Sequence, residues 1–305
     1  MSAFVAFLLI SLLVVLASAK VTLQGQVSRL YYQNAQDPVL FNGVLFLAIA
    51  LLLAIFFPLV APTPTLVLAA LSVSLFTFAF QTTYSSAMTA GPVSLTVLIV
   101  NFSLFIPVTV SILFYHEPVY LTQIIGTAFL ILSMILNLKK EPKENAPISK
   151  KWLFLTLCAM LSTGIAIALQ KGYGKSFVDL PGADTTLLCL IYLFAGAFAF
   201  LFYFLRRTVS RDKPRTSLRP DKRLILFILG IAAVLTVYQK CYMYALVTID
   251  SATLLPMQNG LQTVLVTMIG VFFFHDKLSR RQWFGVLCGV ACVVLMNLPY
   301  GPTIL

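Results

Sequence analysis

Phe114-Tyr-His-Glu-Pro-Val-Tyr-Leu-Thr-Gln-Ile-Ile-Gly126 and Phe273-Phe-His-Asp-Lys-Leu-Ser-Arg-Arg-Gln-Trp-Phe-Gly285 carry one pattern twice. Each leaves an apolar run through a histidine and an acid, turns, and enters the next run with Gln-x-x-Gly. His116 aligns with His275, Glu117 with Asp276, Gln123 with Gln282, and Gly126 with Gly285. Upstream, after a slip of one residue, Gln81 aligns with Gln239, Tyr84 with Tyr242, Ala87 with Ala245, and Asn101 with Asn259. Lys20 and Lys171 occupy similar places in the first apolar run of each half. Two hydrophobic hairpins match by chance at Leu, Val and Phe, but not at polar residues held at one offset. The chain therefore reads as an internal duplication.

The runs around these motifs set the fold class. The 305 residues are 60% hydrophobic and 10% charged, with a mean hydropathy of +0.95. A soluble domain carries about 25% charged residues, so the excess apolar surface must face lipid. Runs near the roughly 20-residue spanning length lie at 2–22, 39–58, 66–88, 92–114, 119–138, 152–172, 184–205, 223–246, 251–274 and 281–298. They lack the alternation of strands, and a bilayer interior demands internally satisfied backbone, so they are helices. The expectation is an all-α, multi-pass integral protein of the cell membrane with about ten transmembrane helices. Residues 1–140 form the first five-helix repeat, 141–151 a connecting loop, and 152–299 the second repeat. Because five is odd, the second repeat enters the membrane upside down relative to the first. Inverted repeats of this kind build alternating-access carriers, with the site where the halves meet.

The formal charge of +11 does not point to nucleic acid, because most of the basic residues sit in three inter-helix segments. Lys139 to Lys151, Arg206 to Arg223 and Lys277 to Arg281 each follow an odd-numbered helix and so share one side. Positive-inside logic makes that side cytoplasmic and places both termini outside. The run before Ala17-Ser18-Ala19 lacks a basic n-region and is long for a signal sequence, so it reads as a span. The five cysteines lie in apolar stretches without metal-ligand spacing, and Cys288 and Cys292 share a helix face. No Walker motif, metal cluster or Ser/His/Asp set occurs, so neither a cofactor, a metal nor enzymatic activity is expected.

Polar groups inside spans are expensive and are candidate substrate-binding residues. The fourth helix carries Asn101 and Ser103 ahead of Pro107; the ninth carries Gln258, Asn259 and Gln262 after Pro256. Each proline frees the carbonyl four residues earlier, which adds acceptors beside the amides. Two readings stand, a polar cavity lining and interhelical hydrogen bonds that hold the bundle. Gln81 on the third helix and Gln239 with Lys240 on the eighth form a second symmetric set. Tyr84, Tyr242 and Tyr244 read as interfacial belt residues. Lys20 and Lys171 are either snorkelling helix-end lysines or, if their helices continue, binding groups that make the cavity basic. All ten Asp and Glu residues lie in or beside predicted loops. That disfavours a proton-coupled multidrug-cation exporter, which needs a mid-membrane carboxylate. His116 and His275 read as turn residues, and the Gly285-x-x-x-Gly289 pair as packing within the fold.

Two five-helix units, each closing with a His-acid turn and Gln-x-x-Gly, resemble the EamA-like, ten-helix branch of the drug/metabolite transporter superfamily. The resemblance covers the chain and is specific in the last three helices of each half. It departs at Leu12-Leu13-Val14-Val15, where members often show Trp-Gly. It implies a carrier of small organic solutes, with both termini in the cytoplasm against the charge reading. The function expected is secondary transport of a small polar or anionic metabolite by alternating access. The partners expected are that solute and the lipid bilayer, with no nucleic acid, in a monomer or weak homodimer. The rival classes, a receptor and an intramembrane enzyme, find no supporting residue pattern.

Overall fold

The computed structural model describes residues 3–34, 36–138, 149–209, 218, 221–274 and 279–298. His275, Asp276 and most of the basic segments at 139–148 and 210–220 lie outside the described residues. The described chain is helical throughout: α1 (Ala3–Tyr31), α2 (Asp37–Phe56), α3 (Pro64–Ala90), α4 (Val93–Asn101) and α5 (Phe105–Tyr115), then α6 (Leu121–Leu136), α7 (Lys150–Ser176), α8 (Ala183–Val209), α9 (Lys222–Thr248), α10 (Ser251–Phe274) and α11 (Arg280–Asn297). α4 and α5 form one span, joined by a 3₁₀ turn at Phe102–Leu104. Counted so, ten helices result among the described residues, seven of them long and apolar enough to cross a membrane.

Polar residues at the helix starts set where the spans begin. The side chains of Thr63, Ser149, Asp221 and Ser279 accept from the backbone N–H groups of Leu66, Trp152, Leu224 and Gln282. The repeated Gln-x-x-Gly has two structural jobs. Gln123 and Gln282 each occupy the third helical position and close a capping box at the start of α6 and α11. The glycines let those two helices cross. A Cβ on Gly126 would stand 2.9 Å from Met296 Cε, and one on Gly285 would stand 2.9 Å from Asn137 Cγ.

The packing repeats as the sequence does. α3 packs on α7 as α1 packs on α9, α3 on α8 as α9 on α2, and α7 on α4 and α5 as α10 on α1. The pairs α2 with α8 and α6 with α11 map onto themselves, as elements on a two-fold axis must. One apolar core joins α2, α3, α8 and α9 around Phe41, Leu53, Leu66, Leu187 and Ile231. A second joins α1, α6, α10 and α11 around Leu13, Leu130, Leu254 and Cys292. Large apolar residues such as Ile55, Phe114, Leu226 and Phe284 point outward, as lipid-facing surface requires.

Two expectations change. The first helix does not stop near residue 22 but continues to Tyr31, whose hydroxyl donates to Asp221 Oδ1 at 3.2 Å. The polar stretch after Lys20 therefore remains helical, tied by its end to the start of α9. Tyr242 is no belt residue: it is buried in the second core and stacks on Tyr238, whereas Tyr244 faces outward.

Candidate functional site

Lys171 lies five residues before the end of α7, and its side chain is 1% exposed. Its Nζ sits 2.5 Å from Glu117 Oε1 and donates to Ser251 Oγ at 2.7 Å. Glu117, in the turn between α5 and α6, also accepts from Lys175 Nζ at 2.9 Å and from the Ser251 backbone N–H at 2.9 Å. Ser251 Oγ lies 2.9 Å from Ser111 Oγ, and Lys175 Nζ stands 4.5 Å from the Tyr115 ring centroid. The turn holds this geometry through His116, whose φ of 50° is left-handed, and through its backbone N–H donated to Ser111 O. The acid of the repeated His-Glu motif thus ties the first half to two helices of the second. Burial raises the Glu117 carboxyl, but the bonds from Lys171, Ser251 and Lys175 outweigh it and leave it below the usual carboxylate range. Asp250 moves the other way, raised by burial and then by the Glu117 charge.

Lys171 is therefore neither a snorkelling lysine nor a free cation, since its charge is matched within the protein. Lys240 is matched too. Its ammonium pairs with Asp184, donates to Thr185 Oγ1 at 2.7 Å, and lies 5.3 Å from the Phe57 ring centroid.

Lys20 is different. α1 carries it about 5 Å past the helix midpoint, taking a rise of about 1.5 Å per residue. It is half-buried and shares the inward stripe of Leu13, Ala17, Gln24 and Val27. No anionic side chain among the described residues pairs with it. α1 packs against α9, which carries Gln239, and α10, which carries the amides of the ninth-span motif. There Gln258 Nε2 donates to the Tyr238 hydroxyl at 3.0 Å, while Gln258 Oε1 and Gln239 Oε1 are buried without a partner among the described residues. Asn259 and Gln262 are half-buried, and their side chains bond to no described residue. Asn101 ends α4 at the 3₁₀ turn, likewise half-buried and with its amide unused among the described residues. Gly164 of α7 packs into that break, where a Cβ would stand 2.9 Å from Ser103 O.

Gln81 belongs to another region. It lines a cavity of about 310 Å³ between α2, α3 and α8, together with Asn42, Thr82, Lys151 and Arg206. The nine sequence-derived residues thus divide. Lys20 and the α9–α10 amides sit on adjacent packed helices, and Asn101 is on the α4–α5 span, whose α5 packs on α10. Lys171 and Lys240 are committed to ion pairs, and Gln81 faces a separate cavity. Tyr238 and Asn42 were missed. Nothing in the sequence singles Tyr238 out among the 12 tyrosines, and Asn42 has no aligned partner in the second half.

Fold and site together define the class, an all-α integral membrane protein of ten apolar helices. Residues 149–298 match the EamA-like transporter family. That match, over the second half of the chain, bears out the resemblance read from the repeat. An uncharacterized protein of Haemophilus influenzae is 22% identical over 192 residues, 63% of this chain and 62% of that protein. The multidrug resistance protein EbrA of Bacillus licheniformis is 50% identical over 40 residues, 13% of this chain and 38% of that protein. The chain thus spans under two thirds of the length of these curated relatives. A solved crystal structure shares the fold with a TM-score of 0.73 and 15% identity, covering 96% of both chains.

Proposed function

We propose that this protein is a secondary carrier that moves a small anionic or polar metabolite by alternating access. The observation that carries the reading is Lys20, a lysine near the middle of a spanning helix, facing inward without a protein anion among the described residues. An ammonium at that depth is costly unless an anion visits it. A solute carboxylate or phosphate supplies one, and the unpaired amides of Asn259 and Gln262, with the free Gln258 carbonyl, on the neighbouring helix offer hydrogen bonds to its polar remainder. The duplicated packing supports two exchanging arrangements of the halves. The Glu117 tie to Lys171, Lys175 and Ser251 supports a closed state at its own end of the bundle.

The EbrA match supports the rival reading of a drug exporter over 40 residues. A cationic drug and a coupled proton require a carboxylate at mid-depth, and the mid-depth ionisable group here is a lysine. Uptake into proteoliposomes of a panel of carboxylates, phosphates, zwitterions and cationic dyes tests the choice. Flux of an anionic solute, lost in Lys20→Gln by at least tenfold and partly kept in Lys20→Arg at equal protein abundance, is expected. Flux confined to cationic dyes, or full anion flux in Lys20→Gln, overturns the reading.

A further inference from the structure

The cavity holding Gln81 lies apart from Lys20 and has a polarity gradient along its depth. Its mouth is formed by the starts of α2 and α7 and the ends of α3 and α8, where Lys151 and Arg206 stand exposed. No carboxylate lines it, and neither cation has an ion-pair partner among the described residues. Thr89 and Ser86 follow the mouth inward, and the floor is aromatic, with Phe78 about 18 Å from the end of α3 by helical rise. Asn42, only 5% exposed, also lines the cavity, and its amide bonds to no described residue. Leu201 and Leu205 of α8, next in sequence to the lining residues Phe202 and Arg206, are exposed, so the flanking surface is bilayer-facing.

We propose that this cavity is a binding site for an anionic phospholipid. The phosphodiester sits between Lys151 and Arg206, the glycerol region meets the α3 hydroxyls and Asn42, and an acyl chain runs along Phe78 and Phe202. A freely soluble anion would match the mouth but leave the aromatic floor wet, whereas an amphiphile fits both ends. The cations lie at the end of the molecule that also carries Lys150, Arg207, Lys222 and Arg223, and on the positive-inside orientation the cytoplasmic leaflet presents anionic headgroups there. The site does not depend on which solute is carried.

Native mass spectrometry and thermal unfolding of the delipidated full chain test this, with phosphatidylglycerol and phosphatidylcholine of matched acyl chains as probes. Retention of phosphatidylglycerol at least tenfold above phosphatidylcholine, with a raised Tm, is expected. The Lys151→Gln/Arg206→Gln pair abolishes that preference, whereas Lys222→Gln/Arg223→Gln, at the same end but outside the cavity, keeps it. Equal retention of the two lipids overturns the proposal. So does a preference lost equally in both double variants, which indicates diffuse surface attraction. Displacement of the lipid by free glycerophosphate at similar concentration also overturns it, by assigning the site to a soluble anion.

Discussion

Glu117 shows how one side chain joins two halves of a duplicated chain. Its carboxylate satisfies two lysines and a backbone N–H, and the Lys171 side chain is buried. Glu117→Gln strands a buried ammonium, which costs about 3–5 kcal/mol in other proteins. Lys171→Met leaves Glu117 still paired with Lys175 and is expected to cost less. Thermal unfolding in detergent ranks the two, and a larger loss in Lys171→Met refutes this account. The same carboxylate sets a pH limit. Its folded-state pKa is lowered, so it contributes stability that is full above the unfolded value of about 4.3 and is lost as pH falls through the folded one. Tm is expected to drop with acid below about pH 4, and Glu117→Gln is expected to flatten that acid limb. The sequence carried the residue and its repeat, since His116-Glu117 stands at a turn. It did not carry the partners, because ion pairing between residues so far apart in the chain depends on how α7 meets the turn.

Glycines at the helix crossings are the element-scale counterpart. On α7, a Cβ at Gly164 would stand 2.5 Å from Ile106 Cδ1 and 2.9 Å from Ser103 O, against the broken α4–α5 span. Backbone cannot yield as a side-chain tip can, so Gly164→Ala is expected to destabilise by about 1–3 kcal/mol. A Cβ added at Gly230 of α9 would meet nothing within 4 Å. Gly230→Ala is therefore expected to be neutral or to gain up to about 1 kcal/mol from helix propensity. Melting curves of the two variants at equal expression separate them, and equal shifts refute the packing argument. Pro107 foretold an interruption in the fourth span, and the 3₁₀ turn lies where its missing N–H frees the Ser103 carbonyl. The length of α1 was not legible, because the polar stretch after Lys20 permits a helix end or its continuation until Tyr31 is seen bonded to Asp221.

Charge orders the whole molecule. The described basic ends of α7, α8, α9 and α11 (Lys150, Lys151, Arg206, Arg207, Lys222, Arg223, Arg280, Arg281) lie at one end of the bundle. The lysines toward the other end, Lys171, Lys175 and Lys240, are ion-paired with Glu117 or Asp184. The bias in charge is therefore steeper than a count of residues suggests, and by positive-inside logic the termini are expected outside. In a cysteine-free background, Asp179→Cys is expected to react with an impermeant maleimide in intact cells and Lys150→Cys only after lysis. The reverse pattern makes the termini cytoplasmic, as the family resemblance implies, and exchanges the leaflets assigned to the two ends.

The all-helical membrane fold and the family resemblance were legible in the sequence alone, because lipid demands long apolar helices and polar identities at a fixed offset survive in linear order. Which polar residues remain free was decided only by the tertiary structure. Lys20 and Lys171 are equivalent by alignment, yet Lys171 meets Glu117 and Lys20 meets no carboxylate among the described residues. Whether a buried charge is matched within the protein depends on neighbours from distant helices, and linear spacing does not record them.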